Sequence, residues 1–377
     1  MIMKKLEVKI IRKLDNDFIE KWSNLVNGSV HAHFFNTSAW FISCLNTYDI
    51  NEYYIFAAYE KGELVGVLPL IKSKKFFVDV FASPGKKYLE KSTILLRNGN
   101  SYILEKIISK VARYGNIYFS EVSEVIASSL SKGKFKAGLL TLSSINPFIN
   151  LKESSLGTLS KKQRQKITSK IKKNLHNLKF GHYRDNLGPY LQNIFELEGR
   201  SSKKLAHKDS FADLTIRKLF TSLINYAKGY VIIDFVYYKN LPIVSSFGFV
   251  YKDRYLAYHT SFDNNFRSFI PGKLITFKML TKLCEEGFSL FDFSRGHNEF
   301  KNDFTKNYVF QYDFYYSKNA LIRAWWEGIN FARRLKQLLV RSNNSLDSKF
   351  LFKKFGESKF QFPKLFGLQK ARYEKSI

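Results

Sequence analysis

The stretch VIIDFVYYKNLPIVSSFGFVYKDRYLAYHTSF, residues 231–262, decides the fold. Three runs rich in Val, Ile, Phe and Tyr, at 231–238, 243–251 and 255–262, are separated by the turn pairs Lys239-Asn240 and Lys252-Asp253, which is the pattern of an antiparallel meander. Immediately after it, Ile270-Pro271-Gly272-Lys273 opens a helix whose Leu274, Phe277, Leu280 and Leu283 share one face. Gly287 stops this helix, and a strand at 288–293 follows. Upstream the same order recurs: a hairpin at 53–59 and 64–71 around Glu60-Lys61-Gly62-Glu63, a third strand at 76–81, Ser83-Pro84-Gly85-Lys86, a helix at 102–113, Gly115 and a strand at 117–119. A strand at 6–11, a helix at 15–25 and a helix capped by Ser38 precede it. The expectation is an α+β chain of two similar units, each a mostly antiparallel sheet flanked by helices.

Bulk properties agree. The 377 residues exceed one ordinary core, and 45% hydrophobic with 16% aromatic content suffices for two. Two cysteines, Cys44 and Cys284, are too few for a disulfide framework or a thiolate zinc site and suit a reducing compartment. The early lysines and arginines, among them Lys4, Lys5 and Lys9, leave no apolar signal core, and no apolar run reaches membrane-spanning length. A cytoplasmic protein is therefore expected. The formal net charge of +29 points to an anionic partner, whether nucleic acid, membrane surface or phosphate-bearing small molecule. Two segments concentrate it. Residues 159–179 read as a helix with Leu159, Ile167, Ile171, Leu175 and Leu178 on one stripe and lysines elsewhere. Residues 331–377 carry 12 Lys+Arg against 3 acids, interleaved with phenylalanines, as in an interfacial anchor to anionic lipid. The division expected is an N-terminal domain at 1–150, a basic linking helix at 151–183, a second domain at 184–330 and a basic aromatic tail at 331–377.

Several chemistries are absent. A P-loop ending at Gly272-Lys273 would need glycine where Arg267 stands and Ser or Thr where Leu274 stands. No Gly-x-Gly occurs, and Ser294 in Asp292-Phe293-Ser294-Arg295-Gly296 lacks the first glycine of a nucleophile elbow. No His/Cys/carboxylate cluster has metal spacing, so no metal is expected. What stands out is Arg267, Ile270, Pro271, Gly272 and Lys273 at a strand-to-helix junction. Unpaired N–H groups, the helix dipole and two cations there could receive a pyrophosphate, although a Pro-Gly start also serves as ordinary helix initiation.

The order of meander, Pro-Gly helix start, helix and strand ending in Phe291-Asp292-Phe293-Ser294-Arg295-Gly296, followed by Phe300-Lys301 and Phe304, resembles the GNAT acyltransferase superfamily. More narrowly it resembles the FemAB-like and CelD/BcsL-like branch, whose members carry two GNAT-like domains in tandem. Phe35-Asn36-Thr37-Ser38-Ala39-Trp40, Val65-Gly66-Val67-Leu68-Pro69-Leu70 and Leu159-Ser160-Lys161-Lys162-Gln163-Arg164 extend the likeness over most of the chain. The resemblance implies an acyl-CoA co-substrate such as acetyl-CoA, its pyrophosphate on residues 267–273, and direct attack by an amine without a covalent enzyme intermediate. It makes Asp292, an acid in an otherwise apolar strand, a base or amine anchor, with a structural pair to Arg295 as the alternative. It places Lys301 at the active site, and Trp40 and Arg295 at the substrate. His259 or Tyr258 could act as base or acid, only one of them facing the cleft by strand alternation. His297 and Glu299 adjoin as further candidates. The acceptor implied is an amine on a sugar, peptide or envelope precursor. Alternatives are a FemAB-type transfer from aminoacyl-tRNA, favoured by the charge, and a non-catalytic RNA-binding protein.

Overall fold

The computed structural model describes residues 6–85, 88–154, 159–174, 176–201 and 210–339; Leu175 and most of the 331–377 tail lie outside them. The elements are β1 (Leu6–Ile11), α1 (Asn16–Gly28), α2 (Ser38–Tyr48), β2 (Tyr54–Glu60), β3 (Glu63–Lys75), β4 (Val78–Ala82), β5 (Leu95–Leu96), α3 (Ser101–Tyr114), β6 (Asn116–Ser123), α4 (Glu124–Leu130) and β7 (Leu139–Asn150). They continue with α5 (Lys161–Lys173), β8 (Leu178–Tyr183), α6 (Gly188–Gly199), α7 (Leu214–Tyr226), β9 (Val231–Tyr238), β10 (Leu241–Tyr251), β11 (Arg254–Phe262), α8 (Pro271–Glu285), β12 (Leu290–Asp292), α9 (Glu299–Phe304), β13 (Asn307–Tyr316) and α10 (Ala320–Leu339).

The expected meander is β9–β10–β11, antiparallel throughout, and the expected upstream hairpin is β2–β3. Each unit then crosses over through a helix to a parallel strand, β4 to β6 by α3 and β11 to β12 by α8. The architecture is α+β, with helices on both faces of a mostly antiparallel sheet. The two units share that sheet, whose order is β1-β2-β3-β4-β6-β13-β7-β12-β11-β10-β9-β8. At the seam β7 pairs with β12, and β13 lies between β6 and β7, so strands from the two ends of the chain are interleaved.

Two local expectations shift. The helix at 38–48 is capped by Thr37, whose side chain accepts from Trp40 N, rather than by Ser38. The basic helix stops at Lys173, not 179, because the chain turns at Asn174 and Leu178 already pairs with Tyr238 as the start of β8. This helix, α5, buries Ile167 among Leu274, Leu280 and Phe304 of the second unit, and its lysines face outward. A Ser160–Gln163 capping box fixes its start.

The cores follow the apolar faces. α3 and α4 cover one face of the first unit through Ile103, Ile107, Ile108, Val111 and Leu130. In the second unit α8 covers one face, while α6 and α7 cover the other. α2 crosses the seam: Trp40 and Cys44 pack with Leu219, Leu223 and Phe249, and Ser43 Oγ donates to Ser222 O at 3.4 Å. Asn36, fully buried, donates to Ser92 O and Ile94 O at 3.2 and 3.1 Å, while its carbonyl accepts from Trp22 Nε1 at 2.7 Å. These bonds hold the 88–94 segment against the sheet, which matters for the site.

Candidate active site

β11 and β12 pair over only three positions, Arg254 to Leu256 with Leu290 to Asp292. Beyond Asp292 the chain leaves β11 and bonds to β7 instead, Phe293 N to Pro147 O and Gly296 N to Ile145 O, both at 2.9 Å. The two strands therefore fork. A bulge facing Phe247 and Gly248 leaves Tyr258 without a ladder partner on the β11 side of the fork. The opening holds a pocket of about 200 Å³, lined among others by Tyr258, Thr276, Phe293, Ser294, Arg295 and Lys301.

The turn at the fork is held in a costly conformation. Ser294 has φ of 61°, unusual for a residue with a side chain, and Gly296 follows at 92°. Asp292 Oδ1 accepts from Ser294 N at 2.7 Å; Glu90 Oε2 accepts from Ser294 Oγ at 2.8 Å and from Arg295 N at 3.1 Å. Lys301, positioned by Asn298 at the start of α9, donates from Nζ to Arg295 O at 2.7 Å and Ser294 O at 3.2 Å.

Asp292 is buried, and its partner is Lys91, at 2.5 Å, not Arg295. Arg295 pairs with Glu90 at 3.1 Å and approaches Glu121 at 3.7 Å. The first unit thus supplies a carboxylate–ammonium–carboxylate set, Glu90, Lys91 and Glu121, to a fork made by the second. Glu121 also sits at φ of 55° and accepts from Ser143 Oγ at 2.7 Å and Ser144 Oγ at 2.5 Å. Burial pushes its carboxyl up to about 7, the serine bonds and Arg295 only partly opposing this.

The structure thus brings Asp292, Arg295 and Lys301 together. Of Tyr258 and His259, Tyr258 lines the pocket. Its hydroxyl donates to Tyr88 O at 2.8 Å, and burial holds it well above the usual phenol range. His259 turns toward α6, with Nε2 at 2.9 Å from Ser261 Oγ and 3.5 Å from Glu198 Oε2; Ser261 in turn donates to the buried Glu198. Its ring meets Phe211 and Phe220 edge-on. Gly272 packs against Phe300 of the pocket wall, since a Cβ there would lie 3.4 Å from its ring. The α8 start has no side-chain cap, Ile270 adopting φ of 52°; Arg267 is exposed nearby, and Lys273 is held by Asp303 at 2.6 Å. His297 is buried against Tyr308, Glu299 is exposed on α9, and Trp40 lies wholly in the core, edge-on to Phe35 at 4.8 Å. Sequence reading missed Glu90, Lys91, Glu121 and Glu198. The criterion that found Asp292 also applies to Glu121, an acid between Phe119 and Val122 in an apolar strand.

The Pro-Gly helix start and the Asp-Phe-Ser-Arg-Gly turn, which carry the resemblance to GNAT acyltransferases, both stand at this fork. Residues 161–302 match the acetyltransferase (GNAT) domain family. Among solved structures the chain is similar in fold to FemX, at TM-score 0.61 and 10% identity over 84% of this chain and 99% of that one. It is also similar to a conserved protein of unknown function from Bacteroides thetaiotaomicron VPI-5482 (0.57, 11%, 82% and 99%) and to L-PGS from Bacillus licheniformis (0.53, 9%, 82% and 94%). No curated protein matches the sequence.

Proposed function

We propose that the fork transfers an acyl group, acetyl being the simplest, from acyl-CoA to a primary amine on a sugar, peptide or other envelope precursor. The observation that carries this is the pocket at the β11–β12 fork, whose wall combines Tyr258, the strained Ser294–Arg295 turn and Lys301. The α8 start suits the diphosphate of the donor: Gly272 N–H has no side-chain competitor, and Arg267 is exposed beside it. Lys273, engaged by Asp303, would have to exchange that partner to contribute.

In the reaction the amine nitrogen bonds to the thioester carbon, the C–S bond breaks, and the proton lost by nitrogen balances the one gained by sulfur. Tyr258, kept protonated, is placed to supply the sulfur's proton. Lys301 brings a positive charge to the pocket wall where the carbonyl oxygen becomes negative. Asp292, ion-paired with Lys91, holds the turn and is the anchor we assign to the acceptor amine. His259, tied to Ser261 and Glu198, orients β11 at the bulge. The envelope acceptor rests on the resemblance to the FemAB-like branch.

A second reading keeps the fork and takes an aminoacyl group from tRNA; the exposed lysines of α5 favour it. Isothermal titration with acetyl-CoA, a longer acyl-CoA and deacylated tRNA, at low and high salt, decides. One-to-one CoA binding that survives high salt and is lost in Gly272→Trp is the expected result. Binding of tRNA alone would overturn the CoA reading.

A further inference from the structure

α10 has two apolar faces. One, with Ile322 and the wholly buried Trp326, docks on Val80, Ala82 and Tyr315. The other, Leu321, Ala324, Trp325, Gly328, Phe331 and Ala332, follows helical spacing and is exposed along its length, Leu321 by 80% and Phe331 by 63%. Next to it stands Phe77, 93% exposed at the tip of the β3–β4 hairpin. The two are joined: Trp325 Nε1 donates to Phe76 O at 3.2 Å, and the Arg333 guanidinium lies 4.4 Å from the Phe76 ring centre. A monomer gains nothing from presenting leucine, tryptophan and two phenylalanines together to water.

Charge selects the occupant. Lys75 lies over the Phe76 and Tyr118 rings, Arg333 over Phe76, and Lys74 and Lys318 are exposed nearby. Two acids, Glu327 and the Lys74-paired Asp79, sit at the margin. The chain beyond α10, residues 340–377, adds 9 Lys+Arg against 3 acids. A second copy, itself at +29, would meet this face with like charge, whereas an anionic bilayer surface complements it. No helix among the described residues is long and apolar enough to cross a membrane, so α10 would lie in the interface.

We propose that the outer face of α10 together with Phe77 is a docking surface for the interfacial region of an anionic lipid bilayer. This surface is separate from the acyl-transfer fork and does not depend on it.

Trp325 makes the test specific. Of the four tryptophans, Trp22, Trp40 and Trp326 are at most 1% exposed, while Trp325 is 51% exposed. The full chain is mixed with vesicles of phosphatidylcholine alone or with phosphatidylglycerol, some carrying brominated acyl chains. The expected result is fluorescence quenching by brominated lipid that requires phosphatidylglycerol and disappears in Trp325→Phe. Leu321→Ser and Phe77→Ser should each weaken vesicle binding about tenfold, with unchanged circular dichroism. Binding that is indifferent to Leu321→Ser and Phe77→Ser, or that proceeds without quenching, would place attraction in the basic tail alone and overturn the proposal. Concentration-dependent dimerisation abolished by Leu321→Ser would overturn it too, by assigning the face to a second copy.

Discussion

Replacing Lys91 by Met keeps the apolar stem of the side chain and removes its ammonium. In the parent, Lys91 Nζ lies 2.5 Å from Asp292 Oδ2, with 21% and 5% of the two side chains exposed. Without the ammonium, Asp292 keeps the N–H of Ser294 at 2.7 Å but remains an uncompensated buried carboxylate. Breaking a buried pair in this way costs about 3–5 kcal/mol. Asp292→Asn should cost less, about 1–2 kcal/mol, because Lys91 is partly exposed and can turn its charge toward water. The double variant removes both charges and should recover at least about 2 kcal/mol of the Lys91→Met loss. Urea unfolding of the four proteins at pH 7 measures this. If Lys91→Met cost under about 1 kcal/mol, or if adding Asp292→Asn brought no relief, the pair would not be the tie between the units that its geometry indicates.

Other outcomes follow from the same structure. Glu121 titrates near 7 when folded, above its unfolded value, so folding favours its protonated form. Its cost is absent at low pH, grows as pH rises from about 4 to about 7 and reaches about 3 kcal/mol. Glu121→Gln should therefore gain about 3 kcal/mol relative to the parent between pH 4 and pH 8 in urea titrations; parallel pH profiles would refute this. Lys301→Met should lower kcat/KM by about a hundredfold or more in a variant that stays folded by circular dichroism; full activity would remove it from the fork's chemistry. At Gly85, φ of 99° and a Cβ position 2.5 Å from Trp40 Cζ2 both oppose a side chain, so Gly85→Ala should cost about 2 kcal/mol or more, visible as a lowered Tm.

The meander, the Pro-Gly helix start and the Gly287 stop were legible because each is written in adjacent residues: alternation, turn pairs and fixed-φ punctuation. β7 and β13 were not read, since their partners lie far away in the chain, and α5 was read too long because its stripe continues smoothly into β8. The choice between Tyr258 and His259 could not come from alternation alone, as a bulge intervenes exactly where they stand.

Local spacing therefore determined the class of fold, its two-unit repetition and the oddity of Asp292 in an apolar strand, while Arg295 and Lys301 came from the family resemblance. Only the tertiary structure decided that Asp292 is matched by Lys91, that Glu90 holds the Ser294 turn, and that β13 crosses back to seal the seam. The physical reason is that patterning reports what a residue demands of its nearest neighbours, burial on one side or a turn on the other. The partner that satisfies a buried charge is chosen by where the sheet places strands some two hundred residues apart.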